Sequence, residues 1–123
     1  MIYERDYIKR LIRDIARGIA KLILGIDTET PTVELLEDSE RKQFVFGLLE
    51  LIDEGRINEA ENLLWKSLDD DPPQGLETGI VFYSALNEKS DAFLEAHDYT
   101  REEVKDGLRR LADAYGIGEL LPE

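Results

Sequence analysis

Six aliphatic side chains near the start of the chain, Ile8, Ile12, Ile15, Ile19, Leu22 and Ile26, follow one another at intervals of 4-3-4-3-4. Helical geometry puts residues three and four apart on one side, so this spacing demands an amphipathic helix and a surface to cover it. Leu11 and Ile23 widen the stripe, while Arg10, Arg13, Asp14, Arg17 and Lys21 fall on the opposite side. The pattern is a heptad seam of fewer than three heptads, which leaves three kinds of cover open. The stripe can pack onto the rest of its own chain. It can pair with its copy in a homodimer through Ile8, Ile12, Ile15, Ile19 and Leu22. It can also dip into lipid while its basic side meets anionic headgroups.

The remaining chain continues in helices. After a C-cap candidate at Gly25 and a loop over 27–31, a second helical stretch spans 32–54 with a break near Asp38-Ser39. Its buried side is Leu35, Leu36, Phe44, Val45, Leu48, Leu49, Leu51 and Ile52, and Gly55 stops it. Asn58 reads as an N-cap with Glu61 completing a capping box, and the third helix carries Ala60, Leu63, Leu64, Trp65 and Leu68. Asp69 to Gly75, with Pro72-Pro73, mark a rigid break that no helix can cross. Residues 76–88 form a fourth helix with Leu76, Ile80, Tyr83 and Leu86 on one face, although Ile80-Val81-Phe82-Tyr83 also has strand propensity. Ser90 caps a short helix running to His97. The last helix is the best marked: Thr100 and Glu103 form a capping box, Tyr99 and Val104 a hydrophobic staple, and Gly116 a stop. No strand pair or hairpin turn stands out. The fold class is therefore all-α, an antiparallel array of five to six helices in one domain over 1–123, with a basic helix 3–25 and an acidic body 32–116.

Charge narrows the function. The net charge is −13, which argues against nucleic acid because a phosphate backbone calls for a basic surface. Residues 1–25 hold six basic residues against three acidic ones, a net of +3, so the other 98 residues carry −16. The chain has no cysteine, which excludes disulfides and thiolate metal clusters and suits a reducing cytoplasm. Charges interrupt the N-terminal apolar stretch, so it does not read as a signal peptide, and no run of 18 uncharged residues occurs.

Two resemblances add to this. The segment Phe44 to Pro72 resembles a tetratricopeptide-type helical hairpin, through Gly55, Ile57 and Ala60 at the turn and Leu64, Ser67 and Pro72 along the second helix. Phe44 stands where that family has a large aromatic, while Gly47-Leu48 reverses its usual leucine–glycine order. One good copy is visible, with 76–115 a degenerate second, whereas repeat proteins use three or more. The whole chain is also similar to a bacterial family of small all-helical proteins of unknown function. The matching residues are Asp6-Tyr7-Ile8, Arg10-Leu11-Ile12, Phe82-Tyr83-Ser84, Leu86-Asn87, and Arg101-Glu102-Glu103 through Tyr115-Gly116-Ile117. That resemblance implies a helical fold and brings no activity, ligand or partner.

Catalytic chemistry finds little footing. His97 is the single histidine, and no elbow motif surrounds Ser39, Ser67, Ser84 or Ser90, any of which a Ser-His-Asp site would need. Asp69-Asp70-Asp71 with Glu77 offers oxygen ligands to a cation but reads better as a solvated loop. Gly116-Ile117-Gly118 lacks the strand and helix of a nucleotide loop. No cofactor, metal site or catalytic residue is therefore expected. The reading is a small non-catalytic interaction or adaptor protein, homodimeric through the first helix, with a peripheral membrane protein as the alternative. Arg13 and Arg17 are the candidates for acidic contacts, and Phe44, Trp65 and Tyr83 for a groove. Tyr3, Tyr7, Tyr83 and Tyr99 read first as packing residues with a wet hydroxyl.

Overall fold

In the computed structural model, residues 2–25, 31–32, 34, 36–70 and 72–120 are described. Tyr3, Ile23, Ile26, Leu35, Asp70 and Asp71, used above, lie wholly or by their side chains outside the described part. Six α-helices follow in order: α1 (Ile2–Ile19), α2 (Ser39–Asp53), α3 (Ile57–Asp70), α4 (Pro72–Asn87), α5 (Asp91–Ala96) and α6 (Arg101–Ala114). No strand occurs among the described residues, so the fold is all-α.

α4 is the centre, packed by α1, α2, α3 and α6. Leu76, Thr78, Ile80, Val81, Phe82, Tyr83, Ser84, Leu86 and Asn87 are all buried. A helix covered all round needs apolar residues all round. The run Ile80 to Tyr83 is therefore a core helix, and its strand propensity yields to tertiary cover. Pro72 and Pro73 sit in the first turn of α4, where a missing N–H costs nothing. The break expected over 69–75 is therefore much shorter than the sequence suggests, since α3 runs to Asp70 and α4 starts at Pro72.

α1 brings Ile12, Ile15 and Ile19 into the main core, each 0% exposed, together with residues from the other five helices. Burying each is worth about 1.5–3 kcal/mol. Ile8 and Leu11 are half-buried against the same core. The seam expected to face a second copy is instead the first helix's share of its own interior. Leu22 breaks the pattern at 53% exposed. Ala20–Leu24 form a π-helical turn closed by the Gly25 N–H on the Ala20 carbonyl. Its wider turn advances the phase less per residue, burying Ala20 and swinging Leu22 outward.

Helix ends carry the local chemistry. Asp38 accepts from the Glu40 N–H, Ser90 from that of Phe93, and Thr100 from that of Glu103 while bonding the Glu103 carboxylate at 3.3 Å. Asn58 departs from expectation. α3 begins at Ile57, so Asn58 lies inside it and donates to the Asp98 carbonyl at 3.4 Å, while Arg56 pairs with Glu59. The α2–α3 turn is roofed by His97. Gly55 there has φ +85°, and a Cβ on it would come within 2.1 Å of the imidazole. Only glycine meets both conditions.

The polar keystone is Arg101, 8% exposed at the start of α6. Nε and Nη2 donate to Asp91 at 3.1 and 2.8 Å. Nη1 reaches the Asn87 carbonyl at 2.6 Å and its side-chain oxygen at 3.2 Å, and Nη2 also reaches the Lys89 carbonyl at 2.8 Å. Asn87 in turn donates to the Lys9 carbonyl of α1 at 3.1 Å. Arg101→Met removes the fork from Asp91 and from the Asn87 and Lys89 carbonyls, and is expected to lower stability by about 1–3 kcal/mol in urea unfolding. Arg101→Lys should recover less than half, because an ammonium cannot fork. A loss below about 1 kcal/mol for the methionine variant would show that the cluster is dispensable.

Candidate interaction surface

Because the α1 stripe points inward, its basic side points out. Arg10, Arg13, Arg17 and Lys21 are all exposed along this face, with Asp14 among them. Arg13 forks onto Glu88 at the end of α4, with Nε and Nη2 each within 3.3 Å of the carboxylate. Both partners are 44% exposed, so the pair is worth about 0–1 kcal/mol and positions Arg13 more than it holds the fold. Tyr7 at 65% and Leu22 at 53% exposure frame the stripe with apolar surface. The expected acidic-contact residues Arg13 and Arg17 are thus brought onto one helix face.

The groove residues separate. Phe44 is half-buried on α2 under its own helix neighbour Arg41, whose guanidinium lies 6.0 Å from the ring centroid. Trp65 and Tyr83 do meet, but inside. Trp65 Nε1 donates to the Tyr83 hydroxyl at 2.9 Å, and that hydroxyl donates to Glu61 Oε2 at 2.5 Å. Tyr99 donates to the same oxygen at 3.0 Å. Tyr83 is 0% exposed, so it is a core residue with internal partners and not the wall of an open groove. α6 comes close enough to seal this network because residue 107 has no side chain: a Cβ on Gly107 would lie 2.3 Å from the Tyr83 ring. Arg110 covers the outer face of Trp65, 3.9 Å from its centroid, a cation–π contact of about 0.5–2 kcal/mol.

Outside the network is a shallow cavity of about 170 Å³ lined by Glu61, Tyr99, Glu103, Asp106, Gly107 and Arg110. Its carboxylates do not converge, and no group of three or more His, Cys, Asp or Glu that could hold a metal occurs among the described residues. Burial, and then the Glu61 charge, push the Tyr83 and Tyr99 phenols far above their ordinary range, so both remain O–H donors. In the sequence Glu61 reads as half of a helix cap and Tyr99 as a staple and packing residue, and nothing singles out Arg110 as a partner of Trp65. The usable signal was spacing: Glu61 and Trp65 are one helical turn apart, as are Gly107 and Arg110.

Other candidates have local roles. His97 Nδ1 donates to the Phe93 carbonyl at 2.7 Å, with its ring 4.5 Å from that of Phe93. Ser67 donates to the Leu64 carbonyl and Ser90 caps α5, so neither is joined to the imidazole. Asp69 is exposed, and the Glu77 carboxyl is pushed up by burial and then by Glu37. No helix among the described residues is long and apolar enough to cross a membrane.

The model of a family of unknown function (DUF6483) matches residues 2–116, and the chain belongs to that family. No curated protein and no solved structure matches it.

The buried phenols make alkaline stability a test of the network. A phenol whose folded pKa is raised contributes its full stability below the ordinary value of about 10 and loses it as pH rises beyond. Two such groups should cost about 4 kcal/mol by roughly pH 11.5. The 295 nm tyrosinate signal of Tyr83 and Tyr99 should then appear together with the loss of helical circular dichroism. Tyr83→Phe/Tyr99→Phe should flatten the pH slope above 10 while lowering stability at neutral pH. Ionisation of both phenols with the helices intact would contradict the arrangement.

Proposed function

We propose that this chain is a small non-catalytic interaction protein that takes an acidic protein surface on the outer face of α1. The observation that carries the reading is the exposed row Arg10, Arg13, Arg17 and Lys21 on a chain whose residues beyond 25 carry −16. Anchoring from below supports it. Ile12, Ile15 and Ile19 hold the helix against the core, so the row stands on a preformed backbone and binding has only its side chains to order. Tyr7 and Leu22 would add apolar contact at either end.

The acidic body of a second copy is one such partner, which gives homodimerisation a basis in charge and not in the buried seam. The α2–α3 hairpin keeps the tetratricopeptide-like reading as part of this proposal, with Gly55 at the turn and Ala60 buried between the helices. A reducing bacterial cytoplasm suits a chain without cysteine. Insertion of the stripe into lipid is disfavoured, because Ile12, Ile15 and Ile19 are packed in the core and withdrawing α1 would expose to water the apolar side chains it covers.

The test is the triple reversal Arg10→Glu/Arg17→Glu/Lys21→Glu, in which all three sites are exposed and folding should be unchanged by circular dichroism. Light scattering at about 50 mM salt should show self-association in the parent and its loss in the variant. Proteins captured from source-cell lysate should be acidic, released by salt and absent with the variant. Equal capture by both proteins would refute the reading, and flotation of the parent with anionic vesicles would favour the membrane alternative.

A further inference from the structure

Val81, Ala85 and Glu88 stand at spacings of four and three, so one stripe of α4 carries all three to the same side. That stripe borders a recess of about 200 Å³ where α4 faces α2 and the segment 31–32. Pro31, Leu49, Val81 and Ala85 give the recess aliphatic walls, and one side is open to solvent. Glu88, just past the end of α4, forms part of the rim, and the Arg13 fork closes on its carboxylate. Glu88 therefore meets the recess as half of an ion pair, its charge offset. The same pair joins the recess to the basic row Arg10, Arg13, Arg17 and Lys21. The fork uses Nε and Nη2, while Nη1 takes no partner among the described residues. Arg13 can thus receive a second carboxylate without releasing the first.

We propose that the recess seats one bulky apolar side chain of an acidic segment of another protein, whose carboxylates lie along α1. This rests on the reading of the α1 face given above and adds a selectivity that charge alone lacks. Three arguments select the occupant. Aliphatic walls gain from an apolar side chain leaving water and offer a charged one no partner. A free small ligand would keep too much of its surface in water at so open a site, whereas a side chain carried on a bound segment is covered from outside by that segment. In size, a 150 Å³ apolar cavity holds benzene, so about 200 Å³ admits a leucine, methionine or phenylalanine side chain. Charge complementarity supplies the rest. From Arg10 to Lys21 the row runs about 16 Å along the helix, a length that about five extended residues span. An apolar anchor in a pocket beside charged contacts is the usual division of labour in a protein interface.

The experiment is an amide-resolved NMR titration of the full chain at about 100 mM salt. The probes are peptides of glutamate and serine, about twelve residues long so as to span both row and recess, each with one leucine whose position is moved along the peptide. The same peptides with serine in place of that leucine are the controls. The best leucine peptide should shift Leu49, Val81 and Ala85 together with Arg10, Arg13 and Arg17, and bind about tenfold more tightly than its serine control. The control should shift the α1 residues alone. Ala85→Leu, which fills the recess, should bring both peptides to the affinity of the control, and Arg10→Glu/Arg17→Glu/Lys21→Glu should lose both. The proposal is overturned if the two peptides bind the parent alike, a comparison that needs no variant; the α1 reading would then stand without it. It is also overturned if the recess residues shift on concentrating the chain alone and no further with peptide, which would seat a second copy there. No binding of either peptide, or binding that survives the triple reversal, would remove the α1 reading and this inference together.

Discussion

The guanidinium of Arg101 is the point on which the helices agree. It has five N–H donors in a fixed fork, and five acceptor contacts surround it. Two are carbonyls at and just beyond the end of α4, which an isolated helix would leave to water. One is the Asn87 side-chain oxygen, whose amide ties down the Lys9 carbonyl of α1. The remaining two come from Asp91 at the start of α5, which supplies the neutralising charge. A buried charge tolerates no missing partner, so α1, α4, α5 and α6 reach this arrangement together or not at all. It contributes less to net stability than to specifying one packing.

Around that point, the apolar residues divide the labour simply. α4 is covered on every side, and what it cannot cover is covered by α1. This leaves little apolar surface for display: Tyr7, Leu22, Phe46 and Leu63 are the large exposed side chains among the described residues.

Local signals could be read from the sequence because the chemistry behind them is local. Thr100 and Glu103 satisfy each other within one turn, Ser90 needs only the Phe93 amide, and Gly25, Gly55 and Gly116 each adopt the positive φ that their positions require. The long stripe of α1 announced a buried helix for the same reason. Partners supplied by distant segments could not be read. Asn58 and Glu61 have the spacing of a capping box, but tertiary contacts with Asp98, Tyr83 and Tyr99 outcompete it. Leu22 faces inward only on a constant 3.6-residue turn, and the segment Ala20–Leu24 widens to a π turn. Arg101 and Asn87 look like ordinary polar residues until the fold brings four elements to them.

One consequence follows from the way α1 lies. Its isoleucines choose which side faces in, and by doing so they choose where the positive charge goes: along one edge of an otherwise negative body. The molecule is thereby a permanent electric dipole whose axis is fixed by packing. In the field of a charged neighbour it turns before contact, so its approach is oriented and not random, at a rate that depends on ionic strength. Half a rotation of one helix would erase that bias while leaving the composition untouched.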